Sequence, residues 1–415
     1  MDSQKPQSAR AARTRSILFV VRDALPPIRA DVLTLFGTAL PRHGVATDLV
    51  GQGGSGDAAP WPAGGMDVVG SLDSRLWSVC APLWDLLGLA RALRRGRPDC
   101  IQVRDKIASG VLGRMVAALL GVPFLYWMSF PIVEGYEARR DDVRRQGRTL
   151  AWLGHALRAR AARAALRRLV LPGARHVFVQ SDAMADWLAA QGVPRARMTA
   201  VPMGVDVRLF DRARIAPVVD LRLAGRRVVL YLGRVARSRR SDFLLDVAAL
   251  LRAHEPRVLL VIAGDAPSDD EMAWMRREIA ARGLQDHVLL TGWLPQRTAL
   301  GYAVRAEVGL SPIPRGTLFD VSSPTKLVEY LALGIPGVAN DIPDQQRVID
   351  ESGAGLCVPM EPAPFADAVL QLLNDELLAA ELALRGPPYV RSCRTYDILG
   401  NNVAKIYNKI LMELR

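Results

Sequence analysis

Lysine is nearly absent from this chain of 415 residues: it stands only at positions 5, 106, 326, 405 and 409, and every other member of the 54 basic residues is arginine. Beside abundant alanine, glycine and leucine, that skew reads first as a codon-composition bias, so a lysine kept at a particular spot is a signal. Cysteine is scarce as well. Cys80, Cys100, Cys357 and Cys393 lie far apart with no Cys-x-x-Cys pairing, which excludes a zinc ribbon and a disulfide framework and leaves them as small buried hydrophobes. Histidine occurs five times and never between Arg104 and Gly154. Long apolar runs are missing. ILFVV is five residues ending at Arg22, behind the basic tail MDSQKPQSARAARTRS, and is too short for a signal peptide. The uncharged stretch Met115 to Val133 is broken by Gly121-Val122-Pro123 and closed by Pro131, so it is expected as helix, turn and strand rather than a membrane span. No internal repeat is visible.

Half of the residues are hydrophobic, and the length is more than one ordinary core needs, so two domains are expected. The net charge is +12 with a pI near 10.0, which points to an anionic partner: nucleic acid, an anionic lipid surface or a phosphorylated ligand. Much of that charge is local. Eleven arginines face only Glu137, Asp141 and Asp142 between Glu137 and Arg175.

The pattern from Ser16 to about Pro202 is strand, helix, strand, repeated. ILFVV, VATDLV, DCIQVRD, FLYWMSF, RHVFVQS and RMTAVP are short β-branched or aromatic runs separated by Ala/Leu/Arg helices. Residues 203–225 keep no period and read as a linker. The alternation restarts with RVVLYLGR, VLLVIAGD, HVLLTGW, AEVGLSP, PGVAND and GLCVP. Strands alternating with helices imply parallel, doubly wound sheets, and two in succession imply an α/β protein with ligands outside the carboxyl ends of the strands. The expected division is a tail at 1–15, domains at 16–202 and 226–385, and helices at 386–415 that return to the N-terminal domain.

Two strand ends and one helix start could carry chemistry. YLGRVARSRR ends in Gly233-Arg234, where glycine lets a ligand approach the backbone and Arg234 and Arg239 offer planar forks to phosphate oxygens; a solvated basic loop explains the residues about as well. VIAGDAP ends in Gly264, which a tight turn alone also explains. In SSPTKLVEYLALGIP, Ser323 is expected as a helix cap and Pro324 as the first helical residue, which puts Lys326 in the first turn, against the helix dipole. A diphosphate held by the free N–H groups and the ammonium would resolve the conflict, with Glu329 one turn on able to accept two ribose hydroxyls. The alternative is an exposed i,i+3 Lys–Glu pair.

SSPTKLVEYLALGIPGVANDIPDQ, preceded by HVLLTGWLP and AEVGLSP and followed by SGAGLCV, closely resembles the donor-binding domain of the retaining glycosyltransferases of family 4. The upstream pieces ILFVV, FVQSDAMADWLAAQGVP, VPMGVD and YLGRVARSRRSDFLLDV agree in order, so the likeness runs from Ser16 to Arg415 and is strongest from Arg226 to Pro359. The resemblance implies a GT-B fold, two Rossmann-like domains facing across a cleft. It implies transfer of a sugar from a nucleoside diphosphate, UDP or GDP, to a glycan or lipid-linked acceptor in surface polysaccharide or glycolipid assembly. Arg234, Arg239 and Lys326 would neutralise the diphosphate, and Gly233, Gly264, Trp293, Asp320, Ser322, Ser323, Thr325 and Glu329 would line the donor. Arg29, Arg104, Asp105 and Ser129 would serve the acceptor.

The sequence departs from the family at three places. Val321 stands where the first of the paired glutamates is usual, with Asp320 or the Ser322–Ser323 backbone as substitutes; YWMSFP lacks the customary histidine; and LPPIRADV lacks a glycine pair, leaving Arg29 as a substitute cation. Without an evident nucleophilic carboxylate, front-face attack with retention is the default. No Asp-x-Asp motif appears, and Ser268-Asp269-Asp270-Glu271 reads as an acidic helix start, so no metal and no cofactor are expected. The arginine-rich segment 139–175, with Trp152 and Leu153, suits peripheral contact with an anionic membrane at its cytoplasmic face, or else a solvated helix. Remaining alternatives are a nucleotide-sugar epimerase, a sucrose- or sugar-phosphate-forming enzyme, an inactive binding subunit and, without any recognition motif, a nucleic-acid-binding protein.

Overall fold

The computed structural model describes residues 14–54, 60–71 and 80–413; most of the expected tail lies outside them. The strands are β1 (Arg15–Val20), β2 (Val45–Gly53), β3 (Met66–Ser71), β4 (Cys100–Arg104), β5 (Phe124–Met128), β6 (His176–Val179), β7 (Met198–Ala200), β8 (Arg227–Leu232), β9 (Val258–Ala263), β10 (Val288–Gly292), β11 (Val308–Ser311), β12 (Gly337–Asn340) and β13 (Gly355–Val358). They form two sheets, in the orders β3-β2-β1-β4-β5-β6-β7 and β10-β9-β8-β11-β12-β13. Pairings such as β1 with β2 and β4, or β8 with β9 and β11, are parallel. Both sheets are therefore doubly wound and Rossmann-like, as the alternation predicts.

Central strands of such sheets are covered on both faces and so read as unbroken apolar runs. VLLVIA of β9 and FLYWM of β5 are buried throughout. The sequence reading passes over β3. It is an edge strand, MDVVGS, with a single buried residue, so it has neither a long apolar run nor a clean alternation.

Two compact units emerge. One contains the chain up to Met128, Leu150–Phe178 and Leu399 onward; the other contains Ser129–Thr149 and Val179–Ile398. In the first, Phe19, Phe36, Trp127, Phe178 and Tyr407 form a chain of ring contacts with centroids 4.5 to 5.1 Å apart. Tyr407, on the helix Tyr396–Met412, donates a 2.7 Å hydrogen bond to Gln102 on β4. In the second, residues 203–225 form two 3₁₀ turns, Arg212–Arg214 and Leu221–Leu223, tied down by Arg212 to the Leu333 and Val304 carbonyls and by Tyr302 to Asp220.

The stretch from Met115 divides into the helix Ile107–Leu120, β5 and a helix from Ile132. Among the described residues no helix is long and apolar enough to cross a membrane. All four cysteines are free, but only Cys100 is fully buried; Cys80, Cys357 and Cys393 are partly exposed, which corrects their reading as core residues.

Candidate functional site

The second sheet places three glycines at neighbouring strand ends, Gly233 after β8, Gly264 after β9 and Gly292 closing β10. Gly233 and Gly264 have φ of +153° and +157°, a region that side chains rarely adopt. Their spacing also forbids a side chain. The Gly233 N–H donates to the Ala263 carbonyl at 3.0 Å, and a Cβ on Gly264 would fall 2.2 Å from the Gly233 carbonyl oxygen. The result is a bare backbone floor.

Lys326 crosses that floor. A Cβ on Gly233 would meet its Cε at 2.5 Å and its Nζ at 3.4 Å. The ammonium lies 5.1 Å from the centre of the Tyr231 ring, a cation–π geometry, and the residue is only 8% exposed. Among the described residues it forms no ion pair. A solvated Lys–Glu pair on an exposed face is therefore ruled out.

The helix that carries Lys326 runs Thr325–Ala332, and its position is held from below. Tyr330 packs against Gly309 of β11, where a Cβ would come 2.5 Å from the ring. Its hydroxyl accepts from the Leu232 N–H at 2.8 Å and donates to the Leu310 carbonyl at 3.1 Å, joining the end of β8 to β11 and to the helix. Burial pushes its phenol well above the ordinary value. Glu329, partly buried on the same helix, has its carboxyl pushed up to about 7 by burial, against the attraction of Lys326.

The helix start differs from the expected cap. Pro324 is the N-cap, in extended conformation, and no side chain caps the helix. Ser323 is instead buried: its hydroxyl accepts from the Met203 N–H at 3.0 Å and donates to Asp344 at 2.6 Å, and Asp344 pairs with buried Arg394 at 2.9 Å. The Ser323 side chain is thus an anchor for the loop. Ser322 donates to the Phe319 carbonyl at 2.6 Å, Thr325 opens the helix half-buried, and Asp320 accepts from Arg315 at 2.9 Å.

Three arginines of the basic loop look alike in sequence and are treated differently. Arg237 is committed: it pairs with Asp270 and Glu271 and covers the Trp274 ring at 4.8 Å. Arg234 is exposed and Arg239 half-buried, and neither has an ion pair among the described residues. They do not sit on a helix start, because a 3₁₀ turn, Arg237–Arg239, precedes the helix Phe243–His254. Trp293, next to Gly292, is 73% exposed. Ser268 caps the helix Asp269–Ala281 by accepting from the Glu271 N–H, so its acidic start has a structural role. No metal-ligating group of three appears among the described residues.

In the first unit, Arg29, Arg104 and Asp105 belong to one ionic cluster, in which Arg104 and Asp105 are buried and Arg29 is exposed. Arg29 grips Asp31 with two bonds of 3.0 and 2.9 Å and lies 3.6 Å from Asp23. Arg104, fully buried, donates to Asp31 at 2.5 Å and lies near Asp23 and Asp105. Burial alone would raise the Asp31 carboxyl, but Arg104 and Arg29 hold it down at about 2. Asp105 takes a left-handed φ of +50°. Ser129, in the second unit, is buried.

Sequence reasoning missed a second network. Lys106 contacts both Asp85 oxygens at 2.8 and 2.9 Å and Gln52 at 2.6 Å, while Ser109 also donates to Asp85. The rarity of lysine was a signal for Lys106 as much as for Lys326. Tyr231 and Tyr330 gave no such signal, because tyrosines in a strand and on an apolar helix face look like core.

Two family models match the chain: Glycosyl transferase 4-like domain over residues 30–204 and Glycosyl transferases group 1 over residues 226–375. The alpha-D-kanosaminyltransferase of Streptomyces kanamyceticus is 29% identical over 45% of this chain and 47% of its own length. A phosphatidyl-myo-inositol mannosyltransferase of Mycolicibacterium smegmatis is 29% identical over 51% of each. The chain thus spans about half the length of the curated relatives it matches. Solved structures share the whole fold. Sucrose-phosphate synthase from Thermosynechococcus elongatus superposes with a TM-score of 0.71 at 19% identity, over 96% of this chain and 100% of that one. Anabaena Alr3699/HepE in complex with UDP and glucose gives 0.66 at 17% identity, over 94% and 99%.

Proposed function

We propose that this chain, which belongs to the GT-B glycosyltransferases of the group 1, family 4-like type, transfers a sugar from a nucleoside diphosphate to a hydroxyl of a glycan or lipid-linked acceptor, with retention of configuration. The observation that carries the reading is Lys326, a buried ammonium without an ion pair among the described residues, lying across the glycine floor at the ends of β8 and β9.

When the bond from sugar to diphosphate breaks, negative charge grows on the β-phosphate. Preorganised cations stabilise that charge more than the ground state, because they need not reorganise as it forms. Lys326 supplies a nearly desolvated one, Arg234 and Arg239 supply two without ion pairs among the described residues, and the first-turn N–H groups of Thr325–Ala332 add donors. Gly233 and Gly264 let the phosphates reach the backbone, and an ionised Glu329 accepts the ribose hydroxyls. The acceptor hydroxyl attacks from the face the diphosphate leaves and passes its proton to the departing phosphate, so no step needs a metal. The mannosyl- and kanosaminyltransferase relatives support the reaction class. The proposed setting is surface glycan or glycolipid assembly at the cytoplasmic face of a membrane.

The test is nucleoside diphosphate release from UDP-glucose, UDP-N-acetylglucosamine and GDP-mannose in the presence of a bacterial lipid extract, with proton NMR of the product. A product whose anomeric configuration matches the donor supports the reading; inversion, or 2-epimerisation of the sugar without transfer, contradicts it.

A further inference from the structure

A surface helix of a globular protein ordinarily turns its apolar side inward. The helix Thr149–Ala165 buries or half-buries Trp152, Ala156 and Ala159 but also turns leucines outward. Leu150, Leu153 and Leu157 are 87%, 49% and 60% exposed, and their spacing of three and four residues places them on one face. Exposed Ala161 and Ala164 continue that face toward Arg168, whereas Ala159 is the only residue of the helix that is fully buried.

Charge accompanies this face. Between Thr149 and Arg175 there are six arginines and no acidic residue, with Arg160 and Arg168 exposed. Arg114 donates to the Leu169 carbonyl at 2.7 Å and ties in the helix Ile107–Leu120, whose Met115 and Leu119 are exposed. All these residues from Leu150 on, with Arg114, Met115 and Leu119, belong to the same compact unit.

We propose that the outward face of Thr149–Ala165, centred on Leu150, Leu153 and Leu157 and flanked by Arg160 and Arg168, docks on an anionic membrane. Leucines on a solvent face enter the boundary between headgroups and acyl chains, and arginines beside them are drawn to anionic headgroups. A second copy of this chain fits less well, since pairing the face with itself would bring together two surfaces without a negative charge. Nucleic acid would use the arginines and leave the leucines in water. The inference rests on residues of this helix and on none of those named for the donor site, so the two are tested separately.

The test is co-sedimentation of the full chain with vesicles of phosphatidylcholine, alone or mixed with phosphatidylglycerol. It is repeated for a Leu153→Glu, Leu157→Glu double variant and an Arg160→Glu, Arg168→Glu double variant, with thermal melting and circular dichroism as controls for folding. The wild type should bind the anionic vesicles and release them in high salt. Each variant should partition at least about tenfold less while melting like the wild type and showing its circular dichroism. Equal binding to both vesicle types, or no loss in either variant, overturns the proposal. So does a failure to bind vesicles combined with a dimer that the leucine variant dissolves, or with a DNA shift that the arginine variant abolishes.

Discussion

Lys326 occupies the space that a side chain at position 233 would need: a single methyl on Gly233 would lie 2.5 Å from the lysine Cε. Glycine and lysine therefore form one feature, although 93 positions separate them in the sequence. Gly233→Ala should displace the ammonium and weaken nucleoside diphosphate binding by about tenfold or more, through loss of a charge-assisted contact. Gly225→Ala is the control, because Gly225 also has positive φ, +67°, but its Cβ would meet nothing within 4 Å. It should cost only backbone strain, about 1 kcal/mol by denaturant titration, and leave the dissociation constant unchanged.

A carboxyl raised to about 7 makes donor binding depend on pH. Ribose hydroxyls are bound by the ionised form of Glu329, so affinity should fall as pH drops through 7, by about tenfold between pH 8 and pH 6. The diphosphate titrates in the same range, and Glu329→Gln separates the two effects: it should bind more weakly at pH 8 and keep only the slope of the nucleotide. For folding the sign is opposite. The raised value means that the folded state keeps a proton which the unfolded state has lost between about 4.5 and 7, so this group's contribution to stability declines as pH rises through that window.

Tyr330→Phe removes one oxygen and orphans the Leu232 N–H, next to Gly233. The expected loss is about 1–3 kcal/mol of stability, together with weaker nucleotide binding because the end of β8 is no longer fixed under Lys326. Urea unfolding and calorimetry on the same preparation check both. A variant that loses stability alone would make Tyr330 a core residue and nothing more.

The buried pair Asp344–Arg394 anchors Ser323 and with it the entry to the Lys326 helix. Arg394→Ala leaves Asp344 without its cation and should cost about 3–5 kcal/mol in urea unfolding. Ser323→Ala should cost less, about 1–3 kcal/mol, since it orphans the Met203 N–H and removes one donor from Asp344.

The central strands, their parallel pairing and the helix carrying Lys326 and Glu329 were legible because buried strands must be apolar and because lysine is rare here. What escaped depends on distant partners. Nothing near Ser323 announces Met203 or Asp344, so a serine before proline reads as a cap. Arg234, Arg237 and Arg239 are equivalent in sequence, and only the position of Asp270, Glu271 and Trp274 distinguishes the paired arginine from the other two. The partners of Arg29 escaped because Asp31, two residues on, gives no hint that it is held between two arginines. The edge strand β3 escaped because an edge need not be apolar.

The most direct test is calorimetric titration of UDP, GDP and ADP into the wild type and the Lys326→Ala variant. Micromolar binding of one nucleotide, weakened at least about tenfold in the variant, is the predicted result and names the donor base. Binding that is equally tight in both proteins, or absent for all three nucleotides, would contradict a donor site built around Lys326.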